Sequence, residues 1–172
     1  TTLPLNTTVT VYGPDGEITG RKKAPLVKGP AVLFYVKDVL FTLYYVLAGG
    51  RKHDIMICAD NLNAFAGLLL RMLGRTRRVV YYVIDFTPVR FDNPLLDRIY
   101  HALNKLCCYY ADAVWNVSER MVRGREEIGI LRERSAQQIT VPLGCAFDEF
   151  PRRGDGEVAA KNIIYFGSLR AE

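Results

Sequence analysis

The chain has 172 residues, of which 49% are hydrophobic and 24% are charged, a composition typical of a globular domain with its own core. The formal net charge of +5 is concentrated in short basic clusters, and no recognition motif for nucleic acid accompanies them, so we expect no nucleic-acid partner. These clusters have two interpretations. They are solvated loop ends, or they form a surface that binds phosphates or an anionic membrane.

The four cysteines carry no sign of a metal site or of a disulfide framework. Cys58, Cys107, Cys108 and Cys145 show neither C-x-x-C pairing nor zinc spacing, and no His/Cys cluster accompanies them. We therefore expect inert thiols in a reducing compartment, which predicts a cytoplasmic protein without a metal cofactor.

The N-terminal segment predicts a short hairpin. Thr7 to Tyr12 alternates as a strand does, Gly13 to Gly16 is a strong turn, and Glu17 to Gly20 is expected to return as a short strand. A basic loop from Arg21 to Pro30 is expected next.

Ala31 to Ala48 is the most apolar stretch of the chain, and Gly49 and Gly50 end it as they would end a helix. At 100° per residue its polar side chains, Lys37 and Asp38 among them, fall within an arc of about 140°. This narrow polar stripe favours a heavily buried helix. A helix lying in a membrane interface is the second interpretation, because basic clusters flank the stretch, and a membrane span is the third.

The rest of the chain alternates between strands and helices. The predicted strands are Asp54 to Ala59, Val79 to Asp85, Ala113 to Val117 and Gln138 to Val141. The predicted helices are Leu62 to Leu73, one capped by Asn93 and begun by Pro94, and one from Ser118 to about Ile128. This alternation predicts an α/β fold with a Rossmann-like, doubly wound parallel sheet.

Polar side chains follow three of the predicted strands. Because parallel strands end at one edge of a sheet, and ligands bind outside that edge, these side chains are candidates for one site: Asp60, Asn61, Asn63, Asp85, Thr87, Arg90, Ser118, Glu119 and Arg120. Each also has a structural interpretation. Asp60, Asn61 and Ser118 suit helix N-caps, Asp85 could close a turn with Thr87, and Arg90 could be a surface residue.

Two further features bear on the kind of chemistry. His101 lies four residues after Asp97 on the polar face of a predicted helix, where a surface ion pair is favoured over catalysis. No G-x-G-x-x-G follows a strand, which speaks against a nicotinamide-dependent oxidoreductase.

The order of these segments resembles the N-terminal domain of a GT-B glycosyltransferase of the family 4 type. The likeness rests on four blocks: Asp54 to Asn61, Val79 to Pro88, Ala111 to Glu119 and Val141 to Phe150. Ile163 to Leu169 then resembles the first strand and phosphate-facing loop of the second domain, and the likeness covers roughly residues 54–172. The third block is similar to the family's A-D-x-V-x-x-V-S-E pattern. The fourth is similar to its crossover into the second domain.

The resemblance implies a transferase that takes a sugar from a nucleotide-sugar to an acceptor, which could be lipid-linked, without a cofactor. It implies that Asp85 orients or deprotonates the acceptor hydroxyl, or steadies the sugar ring, and that Gly167 and Ser168 lie on the donor-phosphate side. The chain departs from the family at two positions, with Ile84 where many members have His and Ser168 where many have Arg.

The same resemblance divides the chain into two parts. Residues 1–150 are expected to form an acceptor domain lacking its start, and residues 151–172 a linker and the first strand of a truncated donor domain. A fragment of this kind would be inactive alone, and its parent enzyme would work in the cytoplasm at the inner membrane surface. A Rossmann-like binding module without catalysis remains the alternative.

Overall fold

The computed structural model describes residues 7–25 and 29–144, except for the side chain of Ala31. All elements given below lie in one compact unit, Thr1–Pro142. The expected donor-domain segment 151–172, with Gly167 and Ser168, lies outside the described residues, as does Cys145.

A two-stranded antiparallel hairpin comes first, as predicted. Strand β1 (Thr8–Tyr12) pairs with β2 (Ile18–Lys23), and Gly16 takes a positive φ of 80° in the turn. The expectation of a loop beginning at Arg21 is wrong, because residues 21–23 continue the ladder as far as the pairing of Lys23 with Thr8.

Helix α1 (Ala31–Ala48) has the predicted bounds, with Gly49 as its C-cap and Gly50 at a positive φ of 66°. The interpretation as a heavily buried helix is wrong, because every described side chain of α1 is partly or fully exposed. The physical reason is a shortage of partners: the main packing partner of α1 is the next helix along the chain. Among the described residues, no helix combines the length and apolar character that crossing a membrane requires.

The parallel sheet confirms the predicted fold class. Its strands are β3 (His53–Ala59), β4 (Thr76–Val83), β5 (Ala113–Asn116) and β6 (Gln138–Thr140), paired in that consecutive order. The connecting helices are α2 (Asn61–Met72), α3 (Pro94–Tyr110) and α4 (Glu119–Glu127). The architecture is α/β with helices flanking the sheet, consistent with a Rossmann-like doubly wound fold.

One core joins the helices to the sheet. Val79, Tyr81 and Val83 point from β4 into a cluster that also holds side chains of α2, α3 and β5. Helix α2 approaches the sheet closely at Gly67, where an added Cβ would lie 2.9 Å from the Cys58 sulfur. The thiols of Cys58, Cys107 and Cys108 are buried and free, and burial raises the pKa of Cys58 to about 12.

Candidate ligand-binding site

The carboxyl edge of the sheet gathers the segments that follow β3, β4 and β5. The backbone N–H of Asp60 donates to Tyr82 O at 3.2 Å, and that of Val117 donates to Val83 O at 3.2 Å. The strand ends are therefore neighbours, and the predicted site residues all follow the same edge.

A pocket of about 530 Å³ opens at this edge, bounded by α1, by the start of α2 and by α3. Its size is within the usual range for small-molecule sites. The pocket is lined by five of the predicted site residues, namely Asp60, Asn61, Asn63, Asp85 and Arg90. The other four from the strand ends, Thr87, Ser118, Glu119 and Arg120, are not part of its lining.

Asp60 combines a structural role with unusual surroundings. It is the N-cap of α2, and its carboxylate accepts the Asn63 backbone N–H at 2.9 Å. Its φ of 73° and ψ of 166° are a combination that glycine usually occupies, and backbone strain of this kind often accompanies functional sites. Desolvation in the pocket raises the pKa of Asp60, although hydrogen bonds from Asn63 and Leu62 oppose the shift.

The two asparagines hold the pocket together. The side chain of Asn61 is buried and donates to Tyr100 O at 3.0 Å, which ties α2 to α3. Asn63 Nδ2 donates to Ala59 O at 3.0 Å and to the Asp60 carboxylate at 3.2 Å. Both amides thus have partners within the protein, and the acceptor-binding role predicted for them remains a prediction.

Asp85 lies two residues beyond the end of β4 and pairs with Arg90, whose guanidinium donates to its carboxylate at 2.6 Å. This hydrogen bond raises the pKa of Arg90. Arg90 also lies over the ring of Tyr100, 6.0 Å from its centroid. The pair presents a carboxylate and a guanidinium side by side, an arrangement that can bind hydroxyl groups through both a donor and an acceptor.

The loop that carries Asp85 and Arg90 is fastened to α3. The Asp97 carboxylate accepts the backbone N–H groups of Arg90 at 2.7 Å and Phe91 at 3.2 Å, and these bonds lower the pKa of Asp97. His101 lies 3.4 Å from Asp97, the pairing that the sequence predicts, but its side chain is only 17% exposed and also contacts Pro88 O at 2.9 Å. His101 therefore stabilises the loop from a mostly buried position, whereas the sequence favoured a surface ion pair.

Four predicted residues have other surroundings. Thr87 Oγ1 is buried without a hydrogen-bond partner among the described residues. Ser118 occupies the N-cap position of α4, but its side chain makes no capping hydrogen bond. Glu119 pairs with Arg132 at 2.7 Å, and Arg120 is exposed. The structure does not bring these four to the pocket.

The pocket walls are the part that the sequence did not predict. Tyr35 and Val39 come from α1, and Ile99, Tyr100 and Leu103 come from α3. Apolar residues recurring along a helix usually indicate a core face, so the pattern could not separate a pocket wall from a core contact. Only the three-dimensional structure, in which a pocket separates α1 from α3, distinguishes a pocket wall from a core contact.

Among the described residues, no cluster of three or more His, Cys, Asp or Glu side chains could hold a metal ion. No protein-family model matches the chain, and no match is found among curated proteins or solved structures. The fold and the geometry of the pocket are therefore the basis for assigning a function.

Proposed function

We propose that this chain supplies the acceptor-binding part of a glycosyltransferase that uses a nucleotide-sugar. The observation that carries the proposal is the pocket at the carboxyl edge of a parallel sheet, with the carboxylates of Asp60 and Asp85 and the guanidinium of Arg90 in its lining. Carboxylates and guanidinium groups suit the recognition and activation of sugar hydroxyls. The order of segments that resembles a GT-B glycosyltransferase supports the same assignment.

In this reaction the acceptor hydroxyl oxygen bonds to the anomeric carbon of the donor sugar. The bond from that carbon to the diphosphate oxygen breaks, and the nucleoside diphosphate leaves with the electron pair. A carboxylate takes up the hydroxyl proton. Asp60, whose carboxylate binds a proton more tightly than usual because desolvation raises its pKa, suits this step, while Asp85, held by Arg90, suits orientation of the acceptor.

The test uses the full-length protein with a panel of nucleotide-sugars and measures sugar transfer. Asp60→Asn and Asp85→Asn should each lower turnover, by about 10²-fold where the carboxylate is the base. Asp92→Asn is the matched control, since Asp92 is exposed and lies outside the pocket lining. Full activity in both pocket variants would reduce the carboxylates to structural residues. Acceptor binding without turnover of any donor would favour the non-catalytic binding module.

We also propose a peripheral contact of this protein with the cytoplasmic side of an anionic membrane. Exposed apolar side chains of α1 support the contact, together with basic residues near its C-terminal end: Arg51 and Lys52 follow the helix, and Lys22 of the hairpin lies over the ring of Tyr45. Each basic residue near an anionic surface contributes about 1 kcal/mol. Co-sedimentation with phosphatidylglycerol vesicles should exceed that with phosphatidylcholine vesicles and weaken with salt. Absence of binding at low salt would contradict this contact.

A further inference from the structure

We propose that the pocket between α1 and α3 takes the hydrocarbon chain of a lipid-linked acceptor, with the acceptor's polar head at Asp60, Asp85 and Arg90. This inference rests on the proposed function, and it assigns a substrate class to the same site. The acceptor is then an amphiphile whose hydrocarbon chain enters the protein, and not a free sugar.

The walls of the pocket are the first observation. Fifteen of its 21 lining residues have aliphatic or aromatic side chains. The lining follows α3 from Leu96 to Leu103, a distance of about 10 Å along the helix, and follows α1 from Val32 to Leu40 over about 12 Å. A free sugar would leave most of these walls without a suitable partner, whereas a hydrocarbon chain would remove them from water.

The surface beside the pocket is the second observation. Five apolar residues of α1, spaced three or four apart, form one exposed stripe: Leu33, Val36, Leu40, Tyr44 and Leu47. Leu40 is 59% exposed and Tyr44 is 68% exposed. An exposed apolar stripe of this extent marks a contact surface for a membrane or a partner.

The stripe and the pocket are continuous. Val36 and Leu40 belong to both, because they face outward along α1 and also line the pocket. A chain anchored in a bilayer against the stripe could therefore enter the pocket without crossing water. The basic residues near the C-terminal end of α1, Lys22, Arg51 and Lys52, favour an anionic bilayer over an apolar protein groove as the neighbouring surface.

The polar groups complete the fit to an amphiphile. Asp60 and Asp85 follow adjacent strands at the sheet edge, and Asp85 is joined to Arg90. Ile99 and Leu103 lie farther along α3, which begins beyond this edge and runs back over the sheet. A ligand with its head at the sheet edge would therefore have apolar walls beside its tail.

The experiment compares two probes with one polar head, decyl β-glucoside and methyl β-glucoside, by calorimetric titration below the micelle-forming concentration. Burial of only two methylene groups is worth about tenfold in affinity, so we expect decyl glucoside to bind at least about tenfold more tightly. Equal affinity of the two probes would overturn the proposal.

Two variants of similar exposure test the location. Ile99→Asp places a charge in the pocket wall and should weaken decyl glucoside binding by about tenfold or more, whereas Leu131→Asp, outside the lining, should leave it unchanged. Ile99 is 47% exposed and Leu131 is 40% exposed in the native protein. If Ile99→Asp does not fold, Leu40→Asp replaces it. Unaltered decyl glucoside binding in the folded pocket variant would overturn the proposal.

The outcomes separate this inference from the proposed function. Chain-length discrimination needs no donor, so its failure would leave sugar transfer to a free acceptor intact. Chain binding without sugar transfer in the full-length protein would retain the pocket assignment and remove the transferase. A native dimer that Leu40→Asp converts to monomers in sedimentation would make the stripe a self-association surface and overturn the proposal.

Discussion

Helices α1 and α2 are both apolar, follow one another in the chain and pack together, yet only one of them is buried. Helix α2 buries six residues, including Ala64, Gly67 and Leu70, because it lies against β3 and β4 and also against α3. Helix α1 has no buried residue among its described side chains, since α2 is its main partner. The number of packing partners, and not the hydrophobicity of a helix, decides how much of it is buried.

The largest expected effect is a difference in lost stability when one leucine is truncated in each helix. Leu70 is completely buried, so Leu70→Ala should lower the free energy of unfolding by about 2–5 kcal/mol through lost burial and a cavity. Leu40→Ala should cost less than about 1 kcal/mol, because Leu40 remains largely in water in the native state. Urea unfolding measures both. Similar losses in the two variants would mean that α1 is buried in solution, against this comparison.

A smaller effect should follow from filling the space between α2 and the sheet. At Gly67 an added Cβ would lie 2.9 Å from Cys58 Sγ and 3.1 Å from Val79 Cγ1. Gly67→Ala should therefore destabilise the protein by about 1–3 kcal/mol, although alanine alone favours a helix by about 1 kcal/mol over glycine. Gly20→Ala is the control, because its nearest neighbour, Val11 Cβ, is at 3.9 Å. A rise in melting temperature for Gly67→Ala would show that α2 can move away from the sheet.

The smallest effect concerns the N-terminal end of α2. Desolvation raises the pKa of Asp60 in the folded state, so the native protein binds more protons than the unfolded chain between the ordinary and the raised pKa. Stability should fall as the pH rises through that window. Asp60→Asn keeps a capping side chain and tolerates positive φ, so it should remove this slope and stabilise the protein at neutral pH by at most about 1 kcal/mol.

Thermal melts of the wild-type protein and Asp60→Asn from pH 3.5 to 7 measure the effect, with Asp92→Asn as the exposed control. Parallel stability curves for wild type and Asp60→Asn would contradict the desolvation of Asp60. A flatter curve for Asp92→Asn than for Asp60→Asn would assign the pH dependence to another carboxylate.

Local sequence signals predicted the elements well where the physical cause is local. Asn93 caps α3 as expected, accepting the backbone N–H groups of Leu95 at 2.9 Å and Leu96 at 3.2 Å. The predicted β4 ended two residues late, because Ile84 continues the apolar run after the ladder ends. It also began three residues late, because the ladder already includes the polar residues from Thr76 to Arg78. Caps and strand runs depend on near neighbours, which the sequence displays directly.

The candidate site was predicted in part, because strand order determines its members. Consecutive parallel strands brought Asp60 and Asp85 to one edge, as expected. The sequence could not show that Glu119 pairs with Arg132, or that Asp97 holds the loop carrying Arg90, since both contacts depend on tertiary geometry. It also could not show that α1 lacks partners, because an apolar helix pattern is the same for a covered and an open surface.

The consecutive order of the parallel strands also has a consequence for assembly. Each strand pairs with its neighbour in the chain, so the sheet can grow one strand and helix at a time, with a modest loss of loop-closure entropy at each step. Opening should begin at β6, which has three residues, two of them exposed. The loss of β6 would release the Tyr82 hydroxyl from Val141 O, while β4, paired on both sides, would keep its amide hydrogens longest.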